Sequence, residues 1–413
     1  MKNSLKENNL ILIILILLAL VLSPLKSFNI YFVLSTILIV LTLKKCKFSF
    51  FSLKSIIIYY SLLPFFFKHN FNIFYGLFSN SNTDNYLIAV IAIFIYLLCW
   101  YFIYQNTNIL SFEKEKLIKK FNYSNNLCKI FAFMAVITTL VRFPTLPFLE
   151  NYDRFVSLLP GNGWNHIVMI LLVFSFPKLK HSKFIQFSFI FVLVWFFGHY
   201  ERVDCIGLIL LLLLLFFNNT KINVKKIAVC IIGIVILFLG LTSIEFIRVG
   251  SNFDFRTLVS KIFVNSTASD VDYTYDRAIE YSNKKLEYGK TYLKYVVETI
   301  PMIDYKDSSE LILNRNYRTV GGEFILNEPI MNFGLSGIIV FFIIEFLIIY
   351  NVLKINNNYS VYFLYVLIFS AFRIVWYGIS YVETALLWYV PLLLLFVKIY
   401  NKMEKGEIII WKK

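Results

Sequence analysis

Residues 184–217 read FIQFSFIFVLVWFFGHYERVDCIGLILLLLLLFF: two apolar runs with the six residues HYERVD, 199–204, between them. Each run is about 15 residues, which as a helix at 1.5 Å per residue gives about 22 Å. The hydrocarbon core of a bilayer is about 30 Å thick. If the runs form a hairpin whose lysine-flanked ends sit at one membrane surface, its turn stops short of the other. His199, Glu201, Arg202 and Asp204 are then held inside the membrane profile. Charged groups at that depth are costly, and they pair with one another or line a wet cavity. Either Glu201, Arg202 and Asp204 neutralise one another, or Arg202 snorkels to the headgroups, or Arg202 and His199 serve a ligand.

Outward from this hairpin the pattern repeats. The chain has 413 residues, 59% of them hydrophobic, and a mean hydropathy of +0.70. Twelve apolar segments can be marked at roughly 10–22, 28–43, 55–67, 86–104, 127–143, 164–176, 184–198, 203–217, 227–247, 330–353, 359–377 and 384–400. They define an all-α polytopic membrane protein with about twelve transmembrane helices. Residues 1–247 carry helices one to nine, 248–329 form a large outer loop, and 330–413 carry the last three helices and a tail. The first run lacks a small-residue cleavage site and reads as a retained helix. The net charge of +15 is mostly lysine beside helix ends. Topology and anionic lipid account for it better than nucleic acid does. Five scattered cysteines without a CxxC pair argue against a disulfide framework or a zinc site.

Alternating the segments from a cytoplasmic N-terminus puts both termini in the cytoplasm and sorts the basic residues. Twenty-three of 31 lysines fall in inner segments, such as KKCKFSFFSLK at 44–54 and PKLKHSK at 177–183. All nine arginines fall in outer loops or the outer parts of helices. Positive charge alone satisfies cytoplasmic retention. Arginine adds a permanently charged planar fork suited to diphosphate or carboxylate. The segregation points to an outward-facing anion site.

In the outer loop, 266–300 reads as two helices broken near Gly289, with Ser269 and Asp270 as N-caps. Tyr292, Leu293, Val296, Val297 and Ile300 make an apolar stripe at helical spacing, so the loop folds as a cap over the membrane. Its six tyrosines between Tyr273 and Tyr295 either stack on sugar rings or pack, half or more of them packing. Asp270 and Asp272 allow a metal reading, but capping is the simpler use. The loop ends in NRNYRTVGGEFILNEPIMNFGLSG, 314–337. Arg315 and Arg318, three apart, share one side of a helical turn and could clamp a diphosphate; salt bridges with loop acids are the plain alternative. Gly321 and Gly322 permit close approach or positive φ. Glu323 and Glu328 follow, and Gly334 and Gly337 open the tenth helix where small residues allow tight packing. Arg248 lies at headgroup level at the exit of the ninth helix. Glu345, midway along the tenth, reads as a hydrogen-bond partner for a neighbouring helix.

The late large loop, the arginine-bearing HYERVD link and the GGE…NFGLSG passage together resemble bacterial O-antigen and capsule repeat-unit polymerases of the Wzy type. The resemblance implies a GT-C-like architecture in the bacterial inner membrane. It also implies inverting, metal-independent and cofactor-free glycosyl transfer at the outer leaflet. Donor and acceptor would both be undecaprenyl-diphosphate-linked glycans, and a chain-length regulator is a possible partner. Carried over by position, Arg202, Arg248, Arg315 and Arg318 form the diphosphate clamp, and Glu323, His199 and Glu201, in that order, are the candidate bases. O-antigen ligase, which transfers glycan to lipid A core, is the nearest alternative. Ligases of that group place a histidine in the large loop, and 248–329 contains none. A flippase or transporter is the alternative of a different class, but the large loop and the lack of a repeat between halves disfavour it.

Overall fold

The computed structural model describes residues 27–46, 49–71, 85–119, 121, 123–147, 163–199, 201–218, 267–299, 305–319 and 322–406. The first and ninth expected segments, and Arg154, Arg248 and Arg256, lie outside these residues. In chain order the α-helices are α1 Phe28–Cys46, α2 Phe50–Ser61, α3 Leu63–Phe71, α4 Asn85–Asn106, α5 Ile109–Ile118 and α6 Asn125–Arg142. Next come α7 Gly163–Ser175, α8 Lys183–Gly198, α9 Arg202–Asn218, α10 Thr267–Lys284, α11 Lys294–Val297 and α12 Ser309–Tyr317. The last are α13 Asn327–Lys354, α14 Asn358–Phe369, α15 Ala371–Tyr377, α16 Ser380–Thr384 and α17 Val390–Glu404. No strand occurs among the described residues, only one isolated bridge between Glu323 and Tyr377.

Ten of the twelve expected segments coincide with these helices, but among the described residues six helices are long and apolar enough to cross a membrane. They are Phe28–Cys46, Phe50–Phe71, Asn85–Asn106, Asn125–Arg142, Asn327–Lys354 and Val382–Glu404; the broken pair Asn358–Phe369 and Ala371–Tyr377 makes a seventh if it is one span. The shortfall has a local cause. α7 has 13 residues, α8 has 16 and α9 has 17, too few at 1.5 Å per residue to match a bilayer core of about 30 Å. Polar caps set several helix starts: Ser49, Ser124, Ser182, Ser308 and Asn357 each accept an N–H from the first turn.

The chain divides into two compact units: 1–114 with 259–354 and 371–380, and 115–258 with 355–370 and 381–413. In the first, α1, α2, α4 and α13 pack through apolar faces. A charged group sits in that packing: Lys54 of α2 pairs with Glu345 of α13, and the Tyr96 hydroxyl of α4 bonds the same carboxylate. The ammonium also lies 5.0 Å from the Tyr96 ring and 5.5 Å from the Trp100 ring. Glu345 thus joins two neighbouring helices rather than one. On α5, Glu113 turns inward to accept the Phe50 amide at 3.2 Å and the Tyr104 hydroxyl, tying a short charged helix to the start of α2.

In the second unit, α6, α7, α8 and α9 pack together. α7 and α14 meet in a parallel stack of Phe174 on Tyr362, with centroids 3.9 Å apart. α9 comes so close to α14 that a Cβ on Gly207 would lie 1.8 Å from the Phe369 carbonyl oxygen.

Candidate functional site

The end of the large loop builds a closed polar cluster. α15 stops at Tyr377, so its last carbonyls lack intrahelical partners. The extended run 322–326 supplies them: Glu323 N–H bonds the Trp376 carbonyl at 2.8 Å and Ile325 N–H bonds Val375 at 2.9 Å. Gly322 makes the approach possible. It has φ +88°, and a Cβ there would meet Val271 at 3.2 Å.

A second break shapes the other wall. α13 departs from helical geometry at Phe333 and Gly334, which frees the carbonyls of Met331 and Asn332. The loop turn answers them, with Glu287 N–H to Met331 at 3.0 Å and Tyr288 N–H to Asn332 at 3.2 Å. The Asn332 side chain takes the Gly289 amide at 2.7 Å and donates to Thr291 at 2.6 Å. Gly289 has φ +90°, the left-handed turn that separates α10 from the next helical piece. That piece is shorter than the sequence implies: one 3₁₀ turn, Lys290–Leu293, followed by α11.

These two breaks bring Glu323 and Glu328 together. Ser309, the first residue of α12, donates its hydroxyl to Glu323 Oε1. The Ser309 hydroxyl oxygen also lies 3.2 Å from Glu328 Oε1. Lys294 Nζ is 3.4 Å from Glu323 Oε2, and the Tyr295 hydroxyl donates to Glu328 Oε2. On its remaining side the Glu323 carboxylate faces Gly378, where a Cβ would come within 3.0 Å of Oε2. Glu323 is 2% exposed and Ser309 0%, so solvent does not screen the set. Burial works against the Lys294 ammonium, but Glu323 and Glu328 outweigh it and hold its pKa above the ordinary value. Burial, then the charges of Glu328 and Glu323, push the Tyr295 phenol well up.

The two loop arginines do not share a helical face. α12 ends at Tyr317, and Arg318 turns into the left-handed region at φ +53° as its C-cap. Arg315 stays in the last turn, with its side chain 59% exposed and 3.9 Å from Asp307. The helix stops because its final carbonyl contact is the Arg318 N–H to Asn314, at 2.8 Å. Both arginines are exposed.

His199, Glu201 and Arg202 belong to the second unit, at the link between α8 and α9. His199 caps α8 and stacks on Phe143 with centroids 4.9 Å apart. Its Nδ1 lies 2.8 Å from the Trp195 carbonyl, and its Nε2 lies 3.1 Å from the Thr145 carbonyl. Both ring nitrogens are therefore engaged within the fold. Glu201 is buried, and its carbonyl takes the Cys205 N–H at 3.2 Å to start α9. Asp204, in the first turn of α9, accepts from Asn165 at 2.9 Å. Arg142, at the end of α6, is buried with its guanidinium 5.0 Å from the Phe143 ring. The buried polar hairpin expected from HYERVD thus also has Asn165 at its edge, and Arg142 beside the phenylalanine on which His199 stacks.

Other expectations shift with the start of α10. That helix begins at Thr267, so Ser269 and Asp270 lie in its first turn rather than at its cap. Asp272 faces the apolar interior at 1% exposure, where burial raises its pKa well above the usual range. Of the loop tyrosines, Tyr273 and Tyr275 are buried and Tyr288 is exposed. Sequence reasoning missed Ser309, Lys294 and Tyr295 as partners of the glutamates. Ser309 stands beside the capping Ser308, and Lys294 lies inside an apolar stripe, so neither has a signal of its own. Arg373 is buried in α15, with its guanidinium 5.6 Å from the ring of Tyr377, the residue that pairs with Glu323.

Comparison with protein-family models, with curated proteins and with solved structures returns no match.

Proposed function

We propose that this chain is an inner-membrane glycosyltransferase that joins undecaprenyl-diphosphate-linked repeat units into O-antigen or capsular polysaccharide. The observation that carries the reading is the Glu323 carboxylate, paired with Lys294 and bonded by Ser309, a few residues beyond the exposed Arg315 and Arg318. A carboxylate can take a proton from an attacking hydroxyl as a general base. Guanidinium groups suit the other half of the reaction. Breaking the sugar–phosphate bond builds negative charge on a lipid diphosphate, which fixed arginines stabilise.

In this reading Glu323 accepts the proton of the acceptor hydroxyl as that oxygen attacks the anomeric carbon from the face opposite the diphosphate. Arg315 and Arg318 hold the leaving group, and Arg202 and Arg248 are the further arginines that the resemblance assigns to it. His199 and Glu201 support the link between α8 and α9. The loop 248–329 lies on the outer face of the membrane, and its lack of histidine favours a polymerase over a ligase.

Deleting the gene and analysing surface glycan tests this. Loss of polymer with single repeat units retained on the lipopolysaccharide core is the expected result. Loss of all core capping would indicate a ligase, and unchanged long chains would refute both. Complementation with Arg202→Lys, which keeps the charge but not the fork, should restore membrane expression without restoring chain length.

A further inference from the structure

Glu323 and Glu328 have so far been treated as two carboxylates, but the hydrogens around them do not allow both to be ionised. Ser309 has one hydroxyl proton and two carboxyl oxygens within reach of it, Glu323 Oε1 and Glu328 Oε1, and the proton can serve only one of them. Glu328 Oε1 lies 3.2 Å from the Ser309 hydroxyl oxygen. An ionised Glu328 would set lone pair against lone pair there, because a carboxylate has no donor. A proton on Glu328 Oε1 turns that contact into a hydrogen bond to Ser309, while Oε2 still accepts from Tyr295. The charge count agrees. Two buried carboxyl groups face one ammonium, Lys294, and a second negative charge would be left without a counter-ion in a largely buried site. Glu310 and Glu298, also near Lys294, only add to the negative side.

We infer that Glu323 and Glu328 form one acid–base unit holding a single shared proton, with Ser309 as the link, Glu323 as the ionised member and Glu328 as the protonated one. As to turnover, the inference rests on the glycosyl-transfer reading. There, the acceptor O–H bond breaks and its proton goes to Glu323. The oxygen's electron pair forms the new bond at the anomeric carbon, and the sugar–phosphate bond breaks with its pair on the diphosphate. The unit then holds two protons, and releasing one to solvent resets it. Ser309 and Glu328 are positioning residues that keep Glu323 charged yet able to be protonated.

The proton itself can be observed without any assumption about activity. The purified full chain, labelled with ¹³C-glutamate, is reconstituted in nanodiscs, and infrared difference spectra are taken at neutral pH between wild type, Glu323→Gln and Glu328→Gln. A glutamic-acid carbonyl band should be present in wild type and absent from both variants. It vanishes in Glu328→Gln because its carrier is gone. It vanishes in Glu323→Gln because Glu328 then ionises to partner Lys294. A band retained in Glu323→Gln would mean two independent groups and overturn the shared proton. So would a wild-type spectrum free of any protonated glutamate, a result that needs no variant to fold.

Surface-glycan synthesis gives the second arm. Glu323→Gln should lower it by about 10²–10⁴-fold as a general base is lost. Ser309→Ala should lower it about tenfold as one hydrogen bond to a charged group is lost, with Ser309→Thr restoring it. If the infrared result holds while no glycan phenotype appears, the shared proton stands and the polymerase reading falls.

Discussion

Lys294 decides the charge of the loop site. Its side chain is 6% exposed and that of Glu323 3%, and removing one partner from such a buried pair costs about 3–5 kcal/mol. Lys294→Met should therefore lower the unfolding temperature of the detergent-solubilised protein markedly. The pH dependence has a definite sign. The Lys294 pKa is raised above its ordinary 10.5, so the pair's contribution is complete below that pH and fades only as pH climbs through the folded value. Across the physiological range wild-type stability should owe nothing to titration of this lysine. In Lys294→Met the remaining carboxylates can be neutralised by protons, so the deficit should shrink in acid. A deficit independent of pH would mean that Lys294 acts by packing alone.

At the scale of an element, α13 is one apolar helix in sequence and two helical pieces in space. Gly334 takes φ +61° and ψ −148°, and a Cβ there would meet nothing within 4 Å. Gly334→Ala should cost only conformational strain, about 1–3 kcal/mol. Gly337 is different, since its Cβ would stand 2.0 Å from the Pro329 carbonyl oxygen and 2.8 Å from its carbon. Backbone must move to admit it, so Gly337→Ala should destabilise more than Gly334→Ala. Thermal unfolding of the two variants checks the order, and equal losses would show that the short piece 327–332 can swing away freely. The same break frees the Met331 and Asn332 carbonyls for the loop turn at Gly289, so straightening α13 would also undock that turn.

For the molecule as a whole, the separation of arginine from lysine predicts sidedness. Tyr288 is 76% exposed at the loop turn, and Lys180 is exposed between α7 and α8. With the native cysteines replaced, Tyr288→Cys should react with a membrane-impermeant maleimide in intact spheroplasts. Lys180→Cys should react only after permeabilisation. The reverse pattern would invert the topology and remove the case for an outward-facing anion site.

Helix as the regular secondary structure of the described residues, and the burial of His199, Glu201 and Asp204, could be read from the chain, because apolar run length and residue polarity are local properties. The sequence alone also marked Glu323, Glu328 and the flanking glycines as one passage. It could not show that the segment expected at 359–377 breaks into α14 and α15, because helix bends and ends depend on caps and turns. Nor could it show that Arg318 leaves the helix of Arg315. Only the tertiary structure joined Ser309, Lys294 and Tyr295 to the two glutamates. These contacts link residues 14 to 33 positions apart, and they exist because two helix breaks leave carbonyls that other segments must satisfy. A buried carbonyl without a partner is costly wherever it lies in the chain, and which segment satisfies it is settled by packing.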